Sequence, residues 1–413
     1  MVPTSPRQPA TRFIFITLVL AIVGLGLLIP VLPSLVKQFK GGDEAAGSHA
    51  YGWLVSIYAV MQFIGSPILG SLSDRFGRRR IILIATAGSA IDYCIMALAP
   101  SLSWLFVARI IAGFTAGVLA TANAYITDIT PPDKRAAAFG TLGAAFGIGF
   151  VIGPALGGFL GDINIHLPFW FAAGCSGLNW IYGLVVLPES LKPEHRRPFS
   201  WKRANPVGAL LALRRLPAVL GLAEAYFIQM LAQSMMFTIW ALYTDHRYQW
   251  SKSAVGLSLM FVGVLTGLVQ AVLVKKIVPK LGDTRAVVLG MGISILAYVG
   301  YGLSPYGWLI YVIIFFGAFG GIAGPAMQSY ISKHVAHNEQ GSVQGVLVGL
   351  QSLAAIPGPF IATWSFGWAI SAGHAPSRSG IAFFEAAACI AVALLMVARS
   401  FRRDRLAAAV PAH

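Results

Sequence analysis

The sequence is poor in charge. Only 11% of its 413 residues are Asp, Glu, Lys or Arg, and just 15 are acids. A soluble domain carries about a quarter charged residues, so water is excluded as the solvent for most of this chain. Cysteine is scarce too. Cys94, Cys175 and Cys389 all lie inside apolar runs, which excludes a disulfide framework and offers no metal-ligand spacing. They read as packing residues. Also missing are a phosphate-cradling glycine loop, a metal-ligating cluster and a nucleophile triad. The expectation is therefore a protein that is not an enzyme, with no cofactor, no metal and no capacity to hydrolyse ATP. Any uphill work must draw on an ion gradient.

Apolar sequence is what abounds: 57% of residues are hydrophobic and the mean hydropathy is +0.73. A helix needs roughly 20 apolar residues to cross the hydrocarbon. Twelve such stretches are expected, at 13–36, 51–72, 81–99, 103–128, 137–160, 167–187, 217–243, 253–275, 285–303, 307–332, 341–368 and 379–398. The runs are continuous rather than alternating, so helices are favoured over a barrel. Arg7 and Arg12 before an apolar run resemble a signal peptide. That run is too long and has no small-residue cleavage site, so it reads as the first span.

The net charge of +15 does not imply nucleic acid, because the positive residues sit in short loops between apolar spans. They set orientation instead. Of the 30 Lys and Arg, five (Lys37, Lys40, Arg247, Lys252, Arg378) fall on one side and Arg109 falls within a span. The other 24 lie on the side of both termini, which is expected to be the cytoplasm. A shift of 205 residues superimposes Gly77 on Gly282, Tyr125-Ile126 on Tyr330-Ile331, Gly140 on Gly345, and Gly153-Pro154 on Gly358-Pro359. This internal repeat divides the chain into a first six-helix half (1–187), a cytoplasmic linker (188–216) and a second half (217–413). The fold class is thus an all-α membrane protein of twelve transmembrane helices in two pseudo-symmetric halves.

Gly70-Ser-Leu-Ser-Asp-Arg-Phe-Gly-Arg-Arg-Arg80 resembles the G-x-x-x-D-R-x-G-R-R loop of the major facilitator superfamily. Gly70 would permit close helix approach. Asp74 would accept from arginines and helix N-terminal amides, and Gly77 would allow the tight turn. With Arg75, Arg78 and Arg79 the loop reads as a latch on the cytoplasmic gate; the alternative is that its arginines only anchor topology. The second copy, Lys275 to Arg285, has lost the acid, with Pro279 opposite Asp74, so gating is expected to be asymmetric. In the fifth span Gly140, Gly149, Gly153-Pro154 and Gly157-Gly158 resemble the pattern of drug–proton antiporters, read either as a kink where two halves rock or as a small-residue packing face.

A closer likeness covers nearly the whole chain. Gly24-Leu-Gly-Leu-Leu-Ile-Pro-Val-Leu-Pro33, Asp92-Tyr93, Arg109, Phe146-Gly-Ile-Gly149 and Glu339-Gln-Gly-Ser-Val-Gln-Gly345 together resemble the tetracycline-efflux branch. That resemblance implies exchange of a metal–tetracycline complex for protons. Three ionisable residues of the branch fall on Ala21, Thr266 and Ser294 here.

Ionisable residues inside a membrane are functional candidates by default. Asp92 is the first choice as proton carrier, with Arg109 as its cation; a static pair is the alternative. Glu224 is the second, either a coupling acid or a merely solvated one. Asp128 and Glu385 complete the set. Gln62, Asn123, Tyr125, Gln229, Gln233, Gln270 and Gln328 are the polar candidates for a mainly apolar ligand cavity, with Phe63, Phe146, Phe227 and Phe237 as aromatic walls.

The expected function is secondary active efflux of a drug-like amphipathic compound in exchange for protons, by alternating access. The setting is a bacterial inner membrane, and the partners are a small-molecule substrate, protons and the lipid bilayer, for a monomer. A metabolite uniporter or importer on the same scaffold is the alternative, and a non-transporting receptor a third.

Overall fold

The computed structural model describes residues 7–131, 134–201, 205, 217–333, 340–371 and 376–409. Nearly half of the expected linker (202–204 and 206–216) and the first residue of the 339–345 run lie outside them. Among the described residues there is helix and turn but no strand. Eleven helices are long and apolar enough to cross a membrane, or twelve if one bent pair is counted as a single span.

That pair is the first span, which was expected to run unbroken from 13 to 36. It breaks after Leu28, and its two pieces, Phe13–Leu28 and Leu32–Phe39, meet at 43°. The cause is Pro30. Proline has no amide hydrogen to donate, and it disfavours helical geometry in the residue before it. Pro33 falls in the first turn of the second piece, where its missing donor costs nothing. The second span is also longer than expected, Glu44–Phe76.

The fourth span is two helices, Leu102–Ala116 and Val118–Ile129, separated at Gly117. A Cβ at Gly117 would lie 2.8 Å from the backbone of Gly65 and Ser66, so spans two and four approach backbone to backbone. The tenth span repeats the irregularity 205 residues on. It passes from Gly307–Gly317 through a 3-10 turn at Ala318–Ile322 into Ala323–Lys333. There Gly320 sits against the Ser294 hydroxyl. The eighth span carries a π-turn, Val269–Leu273, between Lys252–Leu268 and Val274–Leu281.

The chain gathers into two compact units. The first is Met1–Asp43, Ile57–Pro206 and Trp250–Met260; the second is Glu44–Ser56, Val207–Gln249 and Phe261–His413. In the first unit, Phe13, Ile14, Ile82, Ile126 and Leu187 form the core of a buried cluster. Lipid is as apolar as such side chains, so helix association rests on close packing and hydrogen bonds. Gly149 and Gly153 supply it: a Cβ on Gly149 would lie 2.7 Å from Ile22, and one on Gly153 2.8 Å from the Val23 carbonyl. Gly157 rests on Leu27 and Gly158 on the Lys252 carbonyl. Pro154 lies within a continuous helix, Arg135–Ile163. In the second unit Trp240 packs edge-on against Tyr301 and Phe383. Glu44 meets His246 Nδ1 at 2.6 Å, and Ser48 donates to the Thr363 carbonyl.

Candidate functional site

Two polar clusters stand out, both in the first unit. The first is inside the helix bundle. Asp92 lies on the third span, Arg78–Leu98, and Arg109 on the fourth; they are 2% and 4% exposed. Arg109 Nη2 donates to Asp92 Oδ2 at 3.1 Å and also lies 2.7 Å from Met96 Sδ. Its guanidinium sits 5.5 Å from the centre of the Tyr58 ring. Gly24 of the first span lies against the Tyr93 hydroxyl, so a side chain there would displace the residue next to Asp92. Removing one partner of a pair this buried costs on the order of 3–5 kcal/mol, because the other charge is left stranded.

The second cluster is the loop between spans two and three. Gly77 turns with φ 98°, a left-handed value that a side chain resists. Arg78, the first residue of the next helix, reaches Asp74 at 2.7 Å, Asp128 at 3.2 Å and Ser73 Oγ at 2.5 Å. Arg79 donates to the Leu184 carbonyl and Arg75 lies over the Phe76 ring. Two expectations fail here. Asp74 does meet an arginine, but the N-terminal amide of Arg78 goes to Glu189 Oε1 at 2.8 Å. Glu189 also accepts from the amides of Ser190 and Leu191. And a Cβ on Gly70 would meet nothing within 4 Å, so no close approach explains that glycine. The same is true of Gly140 in the fifth span.

The start of the linker is therefore built into the loop. Besides Glu189, Ser190 donates to Asp128, and the Arg197 amide donates to the Asp74 carbonyl. Glu189 was missed because it reads as one acid in a basic segment. The available signal was its place just after the sixth span, within reach of a bare helix N-terminus.

The substrate candidates do not form one group. Tyr125 is fully buried in the core and donates to the Pro188 carbonyl at 2.9 Å; it ties span four to the linker rather than facing a ligand. Asn123, Gln233, Gln270 and Gln328 are exposed, and Gln270 lies on the π-turn. Gln328 bonds to Tyr226. Gln229 Oε1 is buried with no protein partner, while Gln62 is half-buried. Phe146 is 56% exposed and stacks on Phe150. Glu224 lies on an exposed face of the seventh span, and Glu385 accepts from Ser365 at 2.8 Å. Among the described residues no three His, Cys, Asp or Glu gather as a metal would need.

With this geometry in view, sequence relatives decide the family. Residues 14–359 match the profile of the Major Facilitator Superfamily. The chain belongs to it. It is 41% identical to the "Tetracycline resistance protein, class C" of Escherichia coli, across 92% of this chain and 93% of that protein. It is 36% identical to the class H protein of Pasteurella multocida, across 87% and 89%. Among solved structures, an inward-facing, occupied bacterial homolog of the human lysosomal transporter Spinster superposes with a TM-score of 0.75 at 15% identity, covering 97% of each chain. This last likeness concerns the fold alone. The chain is a multi-pass membrane transporter of the superfamily's tetracycline-resistance branch, and not an enzyme.

Proposed function

We propose that this protein exports an amphipathic, tetracycline-like compound across a bacterial inner membrane in exchange for protons. It works as a monomer with both termini in the cytoplasm. Substrate class and membrane rest on the relatives, which are named as tetracycline resistance proteins and match along nearly the full length. Orientation rests on the side to which 24 of the 30 Lys and Arg fall. A single chain holding both repeats supports the monomer. The coupling residues rest on one observation, the buried Asp92–Arg109 pair. No acid accompanies it at Ala21, and neither Thr266 nor Ser294 can titrate.

In this reading Asp92 binds a proton arriving from outside. Its carboxyl becomes neutral and the attraction to Arg109 falls away, so the packing of spans three and four around the pair relaxes. Substrate leaves outward as the protein changes state. Proton loss to the cytoplasm restores the pair. Gly149, Gly153, Pro154 and Gly157 keep spans one and five in register as they move, and Gly158 seats span five on the start of span eight. The loop from Gly70 to Arg80, with Asp74, Arg75, Gly77, Arg78 and Arg79, holds the cytoplasmic side closed in one state.

The test uses purified protein in proteoliposomes with an imposed pH gradient and tetracycline as the probe. The expectation is that tetracycline accumulates in the acidic compartment and that a protonophore abolishes the accumulation. Movement that only follows the tetracycline gradient, unaffected by the protonophore, would favour a uniporter.

A further inference from the structure

The Asp92–Arg109 pair borders a cavity of about 60 Å³ lined by spans one, two, three, four and six. Its wall includes Ala21, Thr86, Ser89, Asn179, Asp92 and Arg109. A buried water needs at least roughly 10–15 Å³ and two to four polar partners, so the space has room for more than one. The polar partners are present in complementary roles. Arg109 Nε is buried and has no hydrogen-bond partner in the protein, and a charged donor left in that condition is costly. Thr86 and Ser89 spend their own protons on the carbonyls of Ile82 and Ala85, so only their oxygen lone pairs face the cavity. Also on the wall, Thr17 donates to Asn179 Oδ1 at 3.2 Å and joins spans one and six. The charged group that acts on Asp92 is Arg109, and the titratable groups that feel Asp92 in turn are Tyr58 and Tyr93.

We propose that this chamber holds a file of hydrogen-bonded waters that conducts the proton to and from Asp92, anchored at Arg109 Nε and accepted by Thr86 and Ser89. The inference rests on the reading of Asp92 as the proton carrier. The step balances: a hydrated proton in the file transfers H⁺ to an Asp92 carboxylate oxygen, one O–H bond breaks as another forms, and the donor is left as neutral water. The next proton follows from the medium along the same file. Arg109 stays a cation throughout, holding the inner water without taking a proton. Ala21 leaves room for the file, and a larger apolar side chain there would interrupt it.

The experiment follows Asp92 itself and needs no substrate. Reconstituted full-length protein is subjected to a pH jump while the carboxyl infrared band is followed, with Asp92→Asn assigning the band. In Ala21→Leu, which places three more carbons in the chamber, protonation should slow at least tenfold. Ala21→Ser should keep the parent rate. Ser89→Ala removes an acceptor without filling space and should slow the rate about threefold, which keeps the test alive if Ala21→Leu does not fold. Parent rates in both Ala21→Leu and Ser89→Ala, with the band still assigned to Asp92, would overturn the chamber while leaving Asp92 as carrier. If Asp92→Asn leaves every carboxyl band in place, the carrier assignment fails first.

Discussion

The loops at 70–80 and 275–285 hold the same place in the two halves, and their chemistry differs in sign. Both turn at a glycine with positive φ, 98° at Gly77 and 77° at Gly282. In both, the residue after the glycine opens a helix and pairs with the far end of a neighbouring span. In the first half that pair is Arg78 with Asp128; in the second, at the same 205-residue offset, it is Asp283 with Lys333, at 2.5 Å. The cation and the anion have changed places. Pro279 does remove the counterpart of Asp74, as expected, yet the second loop is not left without an acid or a clasp. The fold preserves a contact between two positions, and either arrangement of charge can satisfy it. Surroundings set the strength. Arg78 has its side chain 11% exposed and gathers Asp74, Asp128 and Ser73, whereas the cation of the second pair, Lys333, is 66% exposed against an Asp283 side chain that is 9% exposed.

The largest break in this comparison is Arg78→Ala, which strands Asp74 and Asp128. Losing one partner of a buried pair costs about 3–5 kcal/mol, and partial exposure of the acids brings the expectation to about 2–3 kcal/mol. Thermal unfolding in detergent checks it, and proton-driven export should fall at least tenfold. Exchanging the charges, Arg78→Asp with Asp128→Arg, should not restore stability, because Asp74 and Glu189 would then crowd the new acid. Next comes Glu189→Ala. It uncaps the third span and should cost about 1 kcal/mol, the usual value of a lost N-cap, read by the same unfolding measurement. The smallest effect belongs to the second loop. Lys333 itself is exposed, but the Asp283 side chain it would leave behind is only 9% exposed, so Lys333→Ala should cost about 0.5–1 kcal/mol, the upper end for a surface pair. Here the exchange Asp283→Lys with Lys333→Asp should return the protein to within about 0.5 kcal/mol of the parent. A rescue in the first loop, or none in the second, would erase the distinction between them.

The two loops also show what a sequence can convey. The spans were legible because lipid imposes a length and a composition, and the glycines of the turns because positive φ leaves few alternatives. The pairing of Asp283 with Lys333 was legible in principle, since both fall at the repeat offset from Arg78 and Asp128, but a search for identical residues passes over exchanged charges. Asp92 and Arg109 stood out because a charge is rare in lipid. Glu189 did not, because an acid in a polar segment is ordinary and its partner is an amide, which no side-chain pattern announces. The break at Pro30 was hidden by the continuous hydrophobicity around it. Tyr125 shows the opposite error: a polar group in a span suggested a ligand, while the structure gives its hydroxyl to the Pro188 carbonyl.

The central claim is that Asp92 carries the exchanged proton. Its most direct test is internal pH in proteoliposomes loaded with a trapped pH-sensitive dye, recorded as tetracycline is added to parent and Asp92→Asn protein. The account predicts tetracycline-dependent proton movement in the parent. In Asp92→Asn it predicts none, while exchange of labelled for unlabelled tetracycline continues. Proton movement of parental size in Asp92→Asn would contradict it.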